Sequence, residues 1–228
     1  NVKGVGGLHL LEADKWMHWI KSGFNSAKYH ENPDQFKAIA WRNRTVDSLN
    51  NEIRSVLFPD QYGKSKFVVG ERVIAKEAIA IDDGEGVHVA LATDEEAYVE
   101  QVNVMPHPIY NDLFKGYGLE LLKDDGELIY STVIHEDSEL DLDKELRRRS
   151  QLANKNRKMW GSFHDFKDGF HEVSACHAMT SHRSQGSTYH NVFIDMNDIM
   201  KNRNWTEAMK SAYVAVSRAS ENACIKGM

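Results

Sequence analysis

The chain has 228 residues, 41% of them hydrophobic, and a formal net charge of -6. That length allows one large domain or two small ones with a real core, and the negative balance excludes nucleic-acid attraction by the whole-protein field, leaving only a local patch for such a role. Two cysteines, Cys176 and Cys224, exclude a disulfide framework and point to a reducing compartment.

No apolar run approaches bilayer length and no secretory leader pattern is visible, so the expected location is cytoplasmic, with no membrane partner. The chain opens on Asn1 rather than Met, which suggests a fragment of a longer polypeptide or, equally, a processed or truncated chain. Val2–Leu11 is Gly-rich and then apolar, a flexible entry or short strand. Gly4, Gly6 and Gly7 do not complete a dinucleotide fingerprint, because His9 stands three residues after Gly6. Glu12–Lys21 carries Trp16, Trp19 and Ile20 at helical spacing, with Asp14 as N-cap, and reads as a core-facing amphipathic helix. Phe36–Ala40 predicts a short buried strand. Asn43 to Phe58 predicts a helix with Val46, Leu49, Ile53, Val56 and Leu57 on one face, stopped by Pro59. Arg42 and Arg44 lie in the turn at its N-terminus, where backbone donors favour phosphate; solvated surface arginines are the plainer alternative.

Gly63-Lys64-Ser65 has the tail of a Walker A loop, but Phe58 occupies the place of the first glycine and a helix precedes it, so no phosphate loop is expected. From Phe67 the texture changes. Phe67–Ala75, Val87–Ala92, Tyr98–Val104, Gly118–Leu122 and Leu128–His135 read as short strands separated by Asp/Gly turns at 82–86 and 124–126, a small antiparallel barrel or sandwich. Glu136–Lys158 reads as an exposed helix, acidic at its start and basic at its end, either simply solvated or with its basic end on a DNA backbone. Phe163–Gly169 returns the chain to the first domain and Phe170–His177 forms a strand. The histidines between 164 and 190 lack the paired short-range spacing of a structural zinc site, and no metal is expected. Trp205–Ala215 predicts a helix and Ala223–Lys226 the last strand.

The stretch His177–Asp195 organises the rest. Thr180-Ser181-His182-Arg183-Ser184-Gln185-Gly186 is dense in hydrogen-bond donors, and Val192-Phe193-Ile194-Asp195 has the content of a buried strand. A polar loop before a strand is often only a loop; this one also suits an anionic ligand, phosphate first. Thr180 to Gly186 resembles motif V of superfamily 1 helicases of the RecD and Dda type, usually T-x-H-K-S-Q-G, with Arg183 in place of Lys. Ala212-Tyr213-Val214-Ala215-Val216-Ser217-Arg218-Ala219 resembles motif VI, with Ser217 in place of Thr. The segment 38–58 is similar to the region around motif IV, with Asn43 and Asn50 at the two Asn positions. Gly70-Glu71-Arg72-Val73 fits the opening of the SH3-like barrel that such helicases carry here.

This resemblance implies an α/β fold: a RecA-like parallel sheet flanked by helices, of P-loop NTPase type but without its own Walker A, over residues 1–66 and 160–228. A β-rich SH3-like module with a charged helix would occupy 67–159. It implies the second motor half of an ATP-dependent DNA helicase, with ATP and Mg2+ bound mainly by an N-terminal RecA-like domain of the same protein. Arg218 would be the arginine finger and catalytic group; Gly186 and Gln185 would meet the nucleotide. Thr180, His182, Arg183, Ser184, Asn43 and Arg42 would face single-stranded DNA. Alone, the chain would hydrolyse no ATP. The biological setting implied is a bacterial cell or a phage-infected host. A non-enzymatic nucleic-acid- or protein-binding module of the same ancestry is the alternative.

Overall fold

The computed structural model describes residues 6–82, 84, 86–108, 110 and 113–227. The expectations on 2–5, including Gly4, and on Asp83 and Glu85 of the first acidic turn lie outside the described residues. The chain forms two compact units, Asn1–Lys66 with Cys176–Met228, and Phe67–Ala175.

In chain order the first unit begins with β1 (Gly7–Leu11), α1 (Ala13–Phe24), α2 (Ala27–Glu31), β2 (Phe36–Ala40) and α3 (Asn43–Leu57). The second unit contains β3 (Arg72–Ala75), β4 (Ile79–Asp82), β5 (Val87–Leu91), β6 (Glu96–Pro106), β7 (Lys115–Leu122), β8 (Leu128–Ile134), α4 (Glu136–Lys155), α5 (Trp160–Asp168) and β9 (Val173–Ala175). The first unit closes with β10 (Ala178–Thr180), β11 (Tyr189–Ile194), α6 (Met196–Ile199), α7 (Trp205–Ser217) and β12 (Ala219–Lys226).

The first unit is a five-stranded, all-parallel sheet in the order β1-β12-β11-β2-β10. A parallel sheet is covered on both faces, which is why Ala38, Ile39 and Ala40 are all fully buried. On one face Trp16, Ile20 and Phe24 of α1 and Val46, Leu49 and Ile53 of α3 pack against Ala38, Ala40, Phe193 and Cys224. Trp19 stays part exposed beside His9, and Asp14 lies inside the first turn of α1 rather than capping it; Glu12 holds the cap position without a side-chain bond. Trp16 locks α1 down with an indole N–H donated to the Cys224 carbonyl at 2.9 Å. Successive strand residues face opposite ways, and α7 packs on β11 and β12 through Ala208, Ser211, Ala212 and Ala215, small residues that let the helix approach closely. Gly6 is required sterically, since a Cβ there would strike the Glu221 carbonyl.

Lys37 is the exception among the strand residues, buried at 2% exposure. Its ammonium donates to the Cys176 carbonyl at 2.9 Å and sits 4.9 Å from the centre of the Tyr189 ring, so the charge is solvated by protein. Asn50 of α3 brackets one residue of β10, accepting from Ala178 N at 2.7 Å and donating to its carbonyl at 3.2 Å. That is a side-chain substitute for ladder bonds on the edge strand of the sheet.

The second unit is an antiparallel sheet in the order β8-β7-β6-β3-β9, with a separate β4-β5 hairpin. The strand expected from Phe67 begins only at Arg72; Phe67 and Val68 are buried in the preceding turn. The chain crosses back at Ala175/Cys176 rather than near 160. α5 packs with α4, and Val173 to Ala175 pair with β3 instead of leading straight into the parallel sheet. α4 is acidic in its first turn, as expected, and buries Ser138, Leu142 and Ala153. Of the basic residues in and just after it, Arg148 and Arg149 bond Glu145, and Arg149 lies 3.9 Å from the Phe166 ring centre. Arg147, Lys155, Arg157 and Lys158 remain exposed.

Two histidines of this unit give it a pH dependence. His107 is 1% exposed; its Nδ1 accepts from Tyr110 N at 3.2 Å and its Nε2–H donates to the Gly169 carbonyl at 2.9 Å, which fixes a neutral ring. Nδ1 of His171 accepts from Thr132 N at 3.3 Å. Burial pushes both rings below the ordinary histidine value, and at His171 the neighbouring His107 adds to it. A depressed folded value means that the unfolded chain takes up protons first, so stability is whole above pH 6.5 and falls as pH drops below it, levelling off under the folded values. Urea midpoints at about pH 7.5 and about pH 5 should show this loss, and His107→Phe should flatten it. An equal slope in that variant would remove His107 as its source.

Candidate functional site

The loop Ser181–Ser187 follows β10 and precedes β11, at one end of the parallel sheet. Ser184 N donates to the Thr180 carbonyl at 3.0 Å and Arg183 N to Thr180 Oγ1 at 3.3 Å, folding the loop into a tight turn. Gly186 takes φ +96, a conformation that L side chains rarely adopt, and a Cβ there would meet nothing within 4 Å. The glycine is therefore needed for the backbone turn and leaves an open approach. His182, Gln185 and Gly186 are exposed, and Thr180 and Arg183 are half-buried. Ser184 differs from expectation. It is 0% exposed and its hydroxyl donates to the Ser181 carbonyl at 2.8 Å, so it braces the loop from inside instead of facing a strand of DNA.

Arg218 stands directly after α7 and joins the two sequence motifs. Its Nη1 donates to the Ser187 carbonyl at 3.0 Å, its Nη2 to Ser217 Oγ at 3.0 Å and its Nε to the Val214 carbonyl at 3.3 Å. All three acceptors are uncharged, and among the described residues no carboxylate forms an ion pair with it. A half-buried guanidinium positioned by neutral oxygens keeps its full charge for an anion.

Arg42 is in the opposite condition. Its guanidinium forms an ion pair with Asp198, with Nε to Oδ1 at 2.6 Å. The same carboxylate accepts from Trp41 N at 3.0 Å, Arg42 N at 2.9 Å and Thr45 Oγ1 at 2.9 Å. Burial alone would raise the Asp198 pKa, but these bonds outweigh it and hold the acid below its ordinary value. Arg42 thus ties the start of α3 to α6 and is not a free phosphate ligand, whereas Asn43 and Arg44 next to it are exposed. Asp198 carries no motif signal, so only the fold reveals it. Asp195, which ends the Val192–Asp195 run, caps α6 through Asp198 N at 3.0 Å and pairs with Lys226 at 3.0 Å. Gly63 lies in a turn after α3, with Ser65 and Lys66 carbonyls bonded by Arg54, which is not a phosphate-loop setting. Among the described residues no three His, Cys, Asp or Glu side chains gather as a metal site, and no helix is long and apolar enough to cross a membrane.

Residues 175–225 match the UvrD-like helicase C-terminal domain, a span that holds the Thr180–Gly186 loop, α7 and Arg218. A stretch of 65 residues, 28% of this chain and 13% of the relative, is 43% identical to an uncharacterised protein of Acanthamoeba polyphaga mimivirus. Among solved structures the chain is similar to the Pif1 helicase from Bacteroides in complex with ADP-AlF3 and ssDNA, at 13% identity over 94% of this chain and 45% of that one, TM-score 0.43. It is similar also to the Pif1 helicase from Candida albicans, at 13% identity over 94% of this chain and 52% of that one, TM-score 0.44. The chain spans about half the length of both helicases.

Proposed function

We propose that this chain is the second motor domain, with its inserted β-rich module, of a superfamily 1 DNA helicase of the RecD and Dda type. The observation that carries the reading is Arg218, anchored to Ser187 O, Val214 O and Ser217 Oγ with no carboxylate neutralising it among the described residues. That is the arrangement an arginine finger requires: a cation fixed in advance where charge builds on a transferred phosphoryl group. ATP with Mg2+ would supply the phosphoryl transfer, held mainly by an N-terminal RecA-like domain of the full-length protein. Here Arg218 would reach the γ-phosphate, while Gln185 and Gly186, exposed in the loop whose Ser187 carbonyl Arg218 bonds, would meet the nucleotide and couple its state to the DNA track.

Thr180, His182, Arg183 and Asn43 would hold single-stranded DNA through phosphate and sugar, contacts that accept any sequence. Arg42 and Ser184 act within the fold and hold the loops that carry these groups. The second unit would be the SH3-like insert, with Arg147, Lys155, Arg157 and Lys158 as a further basic face. The match over 175–225 supports the helicase class, and the motif residues support the finer type.

The DNA grip is tested by His182→Ala and Arg183→Ala. Both should weaken binding to single strands of any sequence, and loss of the Arg183 charge should lower the salt dependence by about one phosphate contact. Unchanged affinity over a salt series would remove these residues from the DNA path.

A further inference from the structure

Between the Ser181–Gln185 loop and α7 the first unit holds a pocket of about 260 Å³. Ser181 and Ser211 both line it, at 1% and 3% exposure, and neither hydroxyl has a hydrogen-bond partner among the described residues. A buried hydroxyl without a partner costs free energy, and two on the wall of one pocket call for a ligand that satisfies both. Tyr213, 75% exposed, and Val214 supply an aromatic and an aliphatic surface to the same pocket. Glu207 and Lys210 also line it but pair with each other at 3.0 Å, so they offer no net charge to a phosphate. The volume lies below the ~300–1,000 Å³ of sites for drug-sized ligands, which suits a single planar heterocycle.

We propose that this pocket receives one unstacked nucleobase of a single strand, its ring against Tyr213 and its polar edge toward the Ser181 and Ser211 hydroxyls. A serine hydroxyl donates or accepts and turns about χ1 between staggered wells, so the pair serves any base edge. Stacking on an aromatic ring is likewise sequence-tolerant. The pocket would add a base clamp to the backbone grip of His182 and Arg183, and it rests on the reading of that loop as a DNA contact.

The test compares binding of the whole chain to an oligothymidylate and to an abasic strand of equal length. The expected result is roughly tenfold or greater preference for the base-bearing strand. Tyr213→Ala should remove that preference and leave abasic affinity unchanged. Ser211→Ala should weaken base binding while leaving thermal stability equal or higher, since it deletes an unsatisfied group; a purely structural serine would not separate the two readouts. Equal wild-type affinity for both strands, or base-bearing affinity unchanged in both variants, would overturn the base pocket and leave the backbone grip standing. No binding of either strand would overturn both.

Discussion

Arg218→Ala, made in the full-length protein, should cut ATP turnover by about 10³-fold or more while DNA binding stays near wild type. The geometry explains the size of the effect. The guanidinium is held by the Ser187 and Val214 carbonyls and the Ser217 hydroxyl, so under the proposed role its charge would be in place before nucleotide arrived. Catalysis by a preorganised cation is lost whole when the cation is removed, because water entering the gap must reorganise to replace it. Arg218→Lys keeps the charge but loses the planar fork that the three oxygens hold, and should recover only part of the rate. DNA-stimulated phosphate release in wild type and both variants measures this. Wild-type-like turnover in Arg218→Ala would end the finger assignment.

The largest expected effect on stability is at Asp198. Its carboxylate is 2% exposed and receives two backbone N–H groups, the Arg42 guanidinium and the Thr45 hydroxyl. Asp198→Ala would leave a part-buried arginine charge unpaired and the start of α3 uncapped. Removing one member of such a pair costs about 3–5 kcal/mol. The acid's depressed pKa gives the matching pH dependence: the stabilisation is present above the ordinary value of 3.8 and is lost as pH falls below it. Urea unfolding should show a lower midpoint at unchanged slope. A loss below about 1 kcal/mol would mean that the network contributes little beyond its geometry.

The parts of the fold legible in the sequence are those fixed by local pattern. Phe36–Ala40 is apolar except for Lys37 and has both faces covered, and the strand matches it residue for residue. α3 follows from a stripe of Val46, Leu49 and Ile53 and ends before Pro59. The loop with Gly186 was legible because its donors and its glycine stand together in sequence. What sequence hid depends on distant partners. β9 has three residues, and its pairing with β3 joins positions about a hundred apart, so no local pattern marks the crossing at Ala175/Cys176. Arg42 looks like a free phosphate ligand until α6 brings Asp198 against it from 156 residues away. Ser184 sits among exposed polar neighbours but turns inward, since its hydroxyl closes on a carbonyl three residues back.

The central claim is that this chain is one half of an ATP-driven motor, and the intact mass of the native gene product tests it most directly. The account predicts a polypeptide of about twice 26.0 kDa or more, with a Walker A sequence in the part that precedes Asn1. A native product of this chain's own mass would leave ATP without a binding site and would contradict the account.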